Sequence, residues 1–307
     1  MKDSQRTLKK PVRIIGTEAF GGNKVNVTLH PAAPNTGIEF KLPTGIIPAN
    51  INYAQTSGPF NFTFLLKNGD AELLCSEHIL ATTYATGIDN VQIQIDKIPS
   101  RNFKTLEKLG WSTKRQAVPY FPPNNERALY HAIQQTGLVE QNAPRKILRL
   151  EEEIGNERLS IKPIDSDELI LTAKTDYKKI GKQKTTLVIT PKNYEKISKA
   201  RAYMKLIPHW ASEKVGKFLG GFVMYPHHGL KSGMSSELNF RQTRTAEQWK
   251  AQERMPSEVA CHTIIDKLGA LALIPGRLKG VHVISKYSNH KNDIKILKEN
   301  QYKFKQQ

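Results

Sequence analysis

Residues 77–96 read EHILATTYATGIDNVQIQID, and residues 261–285 read CHTIIDKLGALALIPGRLKGVHVIS. In each stretch, a helical segment with a histidine near its start is followed by a strand of alternating apolar residues. Strands are predicted before both helices as well, so the two stretches occupy matching places in two halves of the chain. Because helices bury their apolar faces on sheets, this repetition predicts two similar α+β units, with a site between them that draws residues from both.

The first half is predicted to open with a hairpin over residues 10–42. Within it, Val25, Val27 and Leu29 alternate with polar residues at the period of a half-buried strand. The other predicted elements of this half are helices over residues 77–86 and 125–135, a strand over 91–96 and a loop over 97–123. Gly87, directly after the first helix, is typical of a left-handed helix cap.

The second half is predicted to be rich in strands before its histidine-bearing helix. The predicted strands cover residues 146–152, 157–163, 168–174, 185–189 and 280–284, and the predicted helices cover 193–204 and 257–268. Ser257 is the expected N-cap of the last helix. The stretch 140–146 contains Pro144 and predicts a linker, so the two domains are expected to span residues 1–142 and 143–307.

The composition describes a globular chain with a strongly basic balance. Its 307 residues are 38% hydrophobic, and 46 Lys and Arg against 28 Asp and Glu give a net charge of +18. This excess favours an anionic partner, although a solvated basic face explains any single cluster equally well. The sequence has no apolar run of membrane-spanning length, no signal peptide and only two cysteines, Cys75 and Cys261, which predicts a cytoplasmic protein without disulfides.

Three polar elements of the sequence could together form a metal site. His262 and Asp266 are four residues apart on one helix face, where they could bind one divalent ion or simply form a hydrogen bond with each other. Glu77 and His78 open the other helix, either as a base beside a ligand or as a capping carboxylate and a half-buried histidine. His290 follows the last predicted strand and is either an exposed loop residue or a proton donor.

Four motifs along the chain resemble those of one known family. They are QRTLKKPVRIIGTEAFGGNKVNVTLHPAAPNTGIEF, CSEHILATTYATGIDN, EVACHTIIDKLGALALIPGRLKG and KYSNHKND. In this order they are similar to the motifs of the UDP-3-O-acyl-N-acetylglucosamine deacetylases of lipid A synthesis. The resemblance covers almost the whole chain and is thin only at residues 97–123 and 205–255.

The resemblance implies a zinc-dependent deacetylase. It matches His78, His262 and Asp266 to the ligands of Zn²⁺, Glu77 to the general base and His290 to the general acid. It also implies a duplicated α+β fold, in which two-layer domains of helix and sheet face each other with the active site at their junction.

The resemblance also implies a substrate pocket, and here the sequence departs from the family pattern. An inserted βαβ piece is expected near residues 206–226, where it would shape a tunnel for an acyl chain in contact with Tyr203, Phe218 and Phe222. The family's polar residues are replaced at four positions: Phe20 stands for a histidine, Ala202 for an oxyanion-binding threonine, Thr263 for a lysine and Ala270 for the aspartate that orients the acid histidine. The family's Asp-Gly-Ser stretch after the first half's strand is missing as well, so we expect an altered substrate.

The sequence therefore predicts a divergent zinc deacetylase that acts on an N-acetylated, acylated and nucleotide-linked glucosamine. The protein is expected to be monomeric, with lysines that bind the diphosphate and with peripheral contact to an acidic membrane. Nucleic acid is not favoured, because no stacking motif or recognition helix stands out. The alternative is a non-catalytic relic of the same fold that holds a metal and binds an anionic partner, either nucleic acid or acidic lipid.

Overall fold

A computed structural model describes residues 4–17, 24–56, 63–96, 115–117, 126–177, 180–200 and 253–307. The elements of the first half are β1 (Ser4–Leu8), β2 (Val12–Thr17), β3 (Lys24–Pro31), β4 (Ile38–Leu42), β5 (Gly45–Pro48), β6 (Ala54–Thr56), β7 (Phe64–Asn68), β8 (Ala71–Leu74), α1 (Glu77–Thr86), β9 (Val91–Ile95), β10 (Arg115–Ala117), α2 (Glu126–Thr136) and β11 (Leu138–Pro144). The elements of the second half are β12 (Ile147–Arg149), β13 (Ile154–Gly155), β14 (Leu159–Pro163), β15 (Leu169–Tyr177), β16 (Gly181–Val188), α3 (Pro191–Ile197), α4 (Glu258–Leu271), β17 (Arg277–Leu278), β18 (Val281–Lys286), α5 (His290–Asn300) and β19 (Lys305–Gln306). None of the described helices is long and apolar enough to cross a membrane.

A five-stranded sheet in the order β2-β3-β9-β4-β5 is the main layer of the first half. β2 and β3 form one hairpin and β4 and β5 form another, while β9 lies between them, antiparallel to β3 and parallel to β4. Val25, Val27 and Leu29 are buried on one face of β3, so the alternation in the sequence marks the core side of this sheet. The predicted hairpin at 10–42 is confirmed as β2 and β3, which end at Pro31, while Ile38–Leu42 begins the second hairpin.

The second half repeats this arrangement strand for strand. Its five-stranded sheet has the order β13-β14-β18-β15-β16, and β18, which comes after the second histidine-bearing helix and the short β17, again lies between two hairpins. It is antiparallel to β14 and parallel to β15. The two sheets share strand order and direction, which confirms the predicted duplicated α+β fold.

The helices of the two halves meet at the junction. α1 and α4 pack against each other, α2 packs on α1, and α5 packs on α4. Ile79 of α1 and Ile265 of α4 belong to one continuous core with buried side chains from both halves. The α1–α4 contact is close, because a Cβ atom on Gly269 would lie 2.1 Å from the carbonyl oxygen of Glu77. Side chains on these helices are therefore held at fixed distances across the junction.

The predicted linker at residues 140–146 is wrong. Most of it lies in β11, which pairs antiparallel with β1 from Leu8↔Leu138 to Ser4↔Pro144. None of its side chains is buried, and its centre is the polar run Glu140-Gln141-Asn142, so it lacks the apolar alternation by which strands are recognised. The domain boundary after residue 142 stays a prediction.

Other predicted elements differ from the structure mainly at their ends. Part of the predicted loop at 97–123 is strand β10, which runs parallel to β8. The helix predicted over 193–204 begins at Pro191, capped by Thr190, and ends at Ile197. Ser257 does not cap α4 with its side chain, because its backbone is left-handed, with φ of 56°. The predicted insertion near 206–226 lies outside the described residues.

Candidate metal and catalytic site

Three polar side chains from α1 and α4 converge at the junction of the halves. His78 lies in the first turn of α1, while His262 and Asp266 lie one turn apart on α4. Asp266 Oδ1 is 3.2 Å from His78 Nε2 and 3.5 Å from His262 Nε2. The two imidazole rings meet edge to face, with centroids 4.7 Å apart. The possible ligand atoms of all three residues lie within 4.8 Å of one another.

This geometry fits a single divalent ion. Two donor atoms bound at about 2.0–2.1 Å in tetrahedral directions lie roughly 3.3 Å apart, close to both distances from Asp266 Oδ1. The other ring nitrogen of each histidine is already engaged: His78 Nδ1 is 2.6 Å from Glu126 Oε1, and His262 Nδ1 is 3.0 Å from the carbonyl oxygen of Ala200. A proton on each Nδ1 satisfies these acceptors and leaves the Nε2 lone pairs free to bind an ion.

Charge is concentrated at this cluster. Burial lowers the pKa of His78, but the carboxylates of Glu126 and Asp266 outweigh it and raise this pKa well above its ordinary value. Burial raises the pKa of Asp266, but the neighbouring imidazoles of His262, His78 and His290 outweigh it and hold this pKa well below the usual range. The pocket therefore favours positive charge beside its carboxylates, and a metal ion and protons would compete for the same lone pairs.

Glu77 lies beside this cluster but points in a different direction from His78. Its side chain is buried, and its Oε2 accepts a 2.8 Å hydrogen bond from the hydroxyl of Thr63. Thr63 Oγ1 in turn accepts from the backbone N–H of Cys75, 2.9 Å away. Glu77 Oε1 faces His290 Nε2 at 3.9 Å. One carboxylate oxygen is thus fixed while the other faces the cluster.

His290 is the first residue of α5 and is buried, so it is not the exposed loop residue that one interpretation of the sequence allowed. Its Nε2 lies 3.9 Å from Glu77 Oε1 and 4.0 Å from Asp266 Oδ2. Its Nδ1 is buried and has no hydrogen-bond partner among the described residues. Ala270, where the family resemblance implies an aspartate for this histidine, is buried and offers only a methyl group.

The remaining predicted pocket residues are less informative. Thr263 lies on α4, half buried, and its hydroxyl donates to the carbonyl oxygen of Val259 within the same helix. The other five, Phe20, Ala202, Tyr203, Phe218 and Phe222, lie outside the described residues.

Sequence reasoning missed Glu126 and Thr63, the two residues that hold His78 and Glu77. Glu126 is 1% exposed, and only one of its carboxylate oxygens has a hydrogen-bond partner among the described residues. A carboxylate at the start of a helix is common, and the sequence gives no other signal that it reaches a histidine 48 residues away.

Left-handed backbone conformations precede the three helices that carry the site. Cys75, Ser257 and Tyr287 have φ values of 58°, 56° and 58°, and each lies within three residues of the start of α1, α4 or α5. Such conformations cost about 1–2 kcal/mol for residues with a side chain. The backbone is thus locally strained just before each of these three helices.

The sequence is similar to known proteins over most of its length. Residues 5–100 and 126–300 match the family model described as LpxC, UDP-3-O-acyl N-acetylglycosamine deacetylase. A relative named UDP-3-O-acyl-N-acetylglucosamine deacetylase from Coxiella burnetii (strain Dugway 5J108-111) is 26% identical over 293 residues, which cover 90% of this chain and 83% of the relative. Relatives of the same name from Nautilia profundicola and Histophilus somni are 25% and 28% identical, covering 94% and 71% of this chain and 89% and 68% of their own lengths.

Proposed function

Because the chain belongs to the UDP-3-O-acyl N-acetylglycosamine deacetylase family, we propose that it is a zinc-dependent hydrolase that removes the acetyl group from an acylated, nucleotide-linked N-acetylglucosamine. The observation that carries this proposal is the convergence of two imidazoles and a carboxylate, His78, His262 and Asp266, beside Glu77 and His290. A buried carboxylate and a buried imidazole next to a metal-binding cluster are the groups that amide hydrolysis requires.

Zn²⁺ is the ion that this donor set favours, because two imidazole nitrogens and one carboxylate with a fourth position left open are typical of catalytic zinc sites. When bound, the ion would polarise the amide carbonyl and lower the pKa of a water molecule. His78, His262 and Asp266 would hold it, with the two imidazole rings oriented by Glu126 and the Ala200 carbonyl.

Glu77 would act as the general base. Thr63 fixes its Oε2, so its Oε1 has a defined direction toward the cluster, which proton transfer requires. Oε1 would take a proton from water as the water oxygen adds to the amide carbon. The carboxylate is buried, so bulk water does not compete for this position.

His290 would act as the general acid from the opposite side of the gap. Its Nε2 lies 3.9 Å from Glu77 Oε1, and this nitrogen would give its proton to the amine as the carbon–nitrogen bond breaks. The products are acetate and the free amino sugar. Glu77 and His290 would each transfer one proton, so neither could replace the other in a single turnover.

Paired variants test these roles. Glu77→Gln is expected to keep its zinc but lose about 10²- to 10⁴-fold in turnover, because the amide cannot take a proton from water. His262→Ala is expected to lose the metal itself. Metal content and turnover are measured in parallel, with the exposed Glu140→Gln as a control that should change neither. Full activity of Glu77→Gln would rule out Glu77 as the base.

We further propose that the substrate is a relative of UDP-3-O-acyl-N-acetylglucosamine. The support is the Nδ1 of His290, which has no hydrogen-bond partner among the described residues, and the buried methyl group of Ala270. The sequence departures at Phe20, Ala202 and Thr263 add to it. Loss of one oxyanion donor at Ala202 would cost about 10²- to 10³-fold on the family substrate. Tyr203, Phe218 and Phe222 remain proposed contacts of an acyl chain.

The substrate proposal is tested by assaying the zinc-loaded protein on UDP-3-O-acyl-N-acetylglucosamine and then on simpler N-acetylated sugars. The double variant Ala202→Thr with Ala270→Asp should gain activity on the first. Family-level turnover by the unmodified protein would contradict an altered substrate. If neither protein turns over any of these substrates, the result would favour the non-catalytic alternative.

Peripheral contact with an acidic membrane is supported by one row of basic residues on the second sheet. Lys174 is directly opposite Lys184 on one side and Lys286 on the other, and the Lys286 backbone N–H donates to the carbonyl oxygen of Arg158. Because neighbouring strands lie about 4.8 Å apart, the positive charges of this row lie directly opposite one another and destabilise each other. None of these four side chains forms an ion pair with another described residue, so the row is free to meet an anionic surface.

Vesicle binding tests this contact. The protein should bind phosphatidylglycerol-containing vesicles in a salt-sensitive manner and ignore pure phosphatidylcholine, since each basic residue near an anionic surface contributes about 1 kcal/mol. Replacement of Lys174, Lys184 and Lys286 by Gln should abolish binding. Replacement of the exposed Lys9 and Lys10 by Gln is the matched control and should leave binding unchanged. Preference for a single-stranded oligonucleotide over the acidic vesicles would overturn the membrane proposal.

A further inference from the structure

A buried ion pair joins α4 to α5 directly behind the proposed catalytic residues. Lys267 Nζ lies 2.6 Å from Asp293 Oδ2, and the two side chains are 4% and 1% exposed. Lys267 follows Asp266 in sequence, and Asp293 lies three residues after His290. The pair therefore links the helix that carries two proposed ligands to the helix that carries the proposed acid.

The same pair fixes the turn that leads into α5. Lys267 Nζ also donates to the carbonyl oxygen of Ser288, 3.0 Å away, and the hydroxyl of Ser288 donates to Asp293 Oδ1 at 2.6 Å. Asn292 donates from its side chain to the Ser288 hydroxyl, 2.9 Å away. His290 lies between Ser288 and Asp293 in sequence, so its backbone is held on both sides by one lysine.

A buried ion pair of this kind is weak evidence for a contribution to fold stability. Removing two charges from water costs several kcal/mol per ion, and apolar residues of similar volume are often as stabilising or more so. His290 has no hydrogen-bond partner for its own Nδ1 among the described residues. Its ring meets that of Phe64 edge to face, with centroids 6.0 Å apart, but no hydrogen bond from Nδ1 to a described residue fixes it. Its place in the site therefore depends on the backbone from which it projects, which Lys267 and Asp293 hold.

We propose that Lys267 and Asp293 are a positioning pair that sets the distance of His290 from Glu77 and Asp266. This inference rests on the proposed role of His290 as general acid. Lys267 would not touch the substrate. It would act by holding His290 Nε2 at 3.9 Å from Glu77 Oε1 and 4.0 Å from Asp266 Oδ2, in place of a carboxylate at position 270 that could hold the imidazole directly.

The first test replaces both members at once, Lys267→Met with Asp293→Leu, so that no lone charge is left buried. This variant should fold, bind zinc in the same stoichiometry and keep KM within about twofold. Its kcat should fall about 10²-fold, since misplacement of a catalytic group by about 1 Å has this effect. The assay uses UDP-3-O-acyl-N-acetylglucosamine, or the N-acetylated sugar that the unmodified protein turns over. The matched control is Lys67→Met with Glu72→Leu, which removes another ion pair, between β7 and β8, and should leave kcat unchanged.

The second test asks whether the pair acts through His290. In a His290→Ala background, removing the pair should cause no further loss of kcat, because residues that act as a unit have non-additive effects. Adding Ala270→Asp to the protein without the pair should restore part of kcat, because the new carboxylate can accept from His290 Nδ1. A purely structural role would show neither effect.

The outcomes separate this inference from the proposed function. If His290→Ala leaves kcat unchanged, the role of His290 as acid is wrong. If His290→Ala lowers kcat but removal of the pair does not, only the positioning proposal is overturned. Should the double variant fail to fold, Ser288→Ala keeps the ion pair but removes the hydroxyl bond to Asp293. It should lower kcat several-fold at unchanged KM, and an unchanged kcat would again overturn the proposal.

Discussion

The two halves of the chain share a framework but contribute different groups to the site. Both sheets have a central strand that follows a helix and lies between two hairpins. α1, however, presents Glu77 and His78 from its first turn, whereas α4 presents His262 and Asp266 from its second and third turns. The framework thus fixes where the helices meet, and the position of polar residues along each helix decides the chemistry.

The helices that follow the two central strands show the same contrast. Glu126 begins α2 and contacts Nδ1 of His78, whereas His290 begins α5 and faces Glu77 and Asp266. Equivalent positions therefore carry an acid that supports a proposed ligand in one half and an imidazole that faces the proposed base and a proposed ligand in the other. A duplicated fold can diverge in function by exchanging single residues at helix starts.

The largest effect is expected from adding a methyl group at Gly269, where α1 and α4 are in close contact. In Gly269→Ala, the new Cβ would lie 2.1 Å from Glu77 O and 2.7 Å from Glu77 Cα, so α1 and α4 must move apart. We expect loss of zinc binding and of turnover, with a fall of about 1–3 kcal/mol or more in the free energy of unfolding. Metal analysis and urea denaturation measure both. Wild-type zinc affinity in this variant would contradict the idea that the close helix contact sets the site.

A second variant breaks the junction away from the site. Arg277, from the second half, lies over the ring of Tyr84 and donates to Asp89 at 2.8 Å, both in the first half. Arg277→Met should lower the free energy of unfolding by about 3 kcal/mol, because it removes charge-assisted bonds at a largely buried position. Zinc stoichiometry should not change. Arg13→Met, at an exposed position, is the control and should shift stability by less than about 0.5 kcal/mol.

A third variant compares the support of the two histidines. His78 is held by a carboxylate and His262 by a neutral carbonyl group. Glu126→Gln should weaken zinc binding about 10- to 100-fold, the usual effect of altering a group that orients a ligand. Competition with a chelating indicator measures this affinity. An unchanged value would mean that the charge on Glu126 does not distinguish the two halves.

The smallest expected effect concerns the strained residues that precede the helices. Tyr287 has φ of 58° and the residue is 55% exposed, so removal of its side chain loses little packing. Tyr287→Gly should raise the free energy of unfolding by up to about 1 kcal/mol, because glycine adopts this conformation without strain. Thermal unfolding measures the change. A destabilised variant would show that the side chain of Tyr287 contributes more than its backbone costs.

Much of the fold could be predicted from local sequence patterns. α1 begins and ends where the pattern predicts, at Glu77 and Thr86, because Gly87 provides the left-handed cap that ends it. The edge strand β11 could not be recognised, since its pairing with β1 joins residues 130 to 140 positions apart. Local period identifies strands only where one face is buried.

The candidate site likewise contains contacts that the sequence predicts and contacts that it does not. His262 and Asp266 share a helix face, so their proximity follows from spacing, whereas their meeting with His78 followed only from the order of the motifs. The support of Glu126 for His78 and the Lys267–Asp293 pair join residues 48 and 26 positions apart. Such contacts depend on how the helices pack, and no short-range pattern in the sequence encodes them.

The position of the central strands has a consequence for biosynthesis. β9 and β18 are each synthesised after every other strand of their sheets, and after the helix that carries His78 or His262. Until β9 leaves the ribosome, β3 and β4 have open edges that only β9 will pair. Insertion of this strand completes the sheet just after α1 has been made. The nascent chain can therefore finish the first half, with its share of the site, while the second half is still being translated.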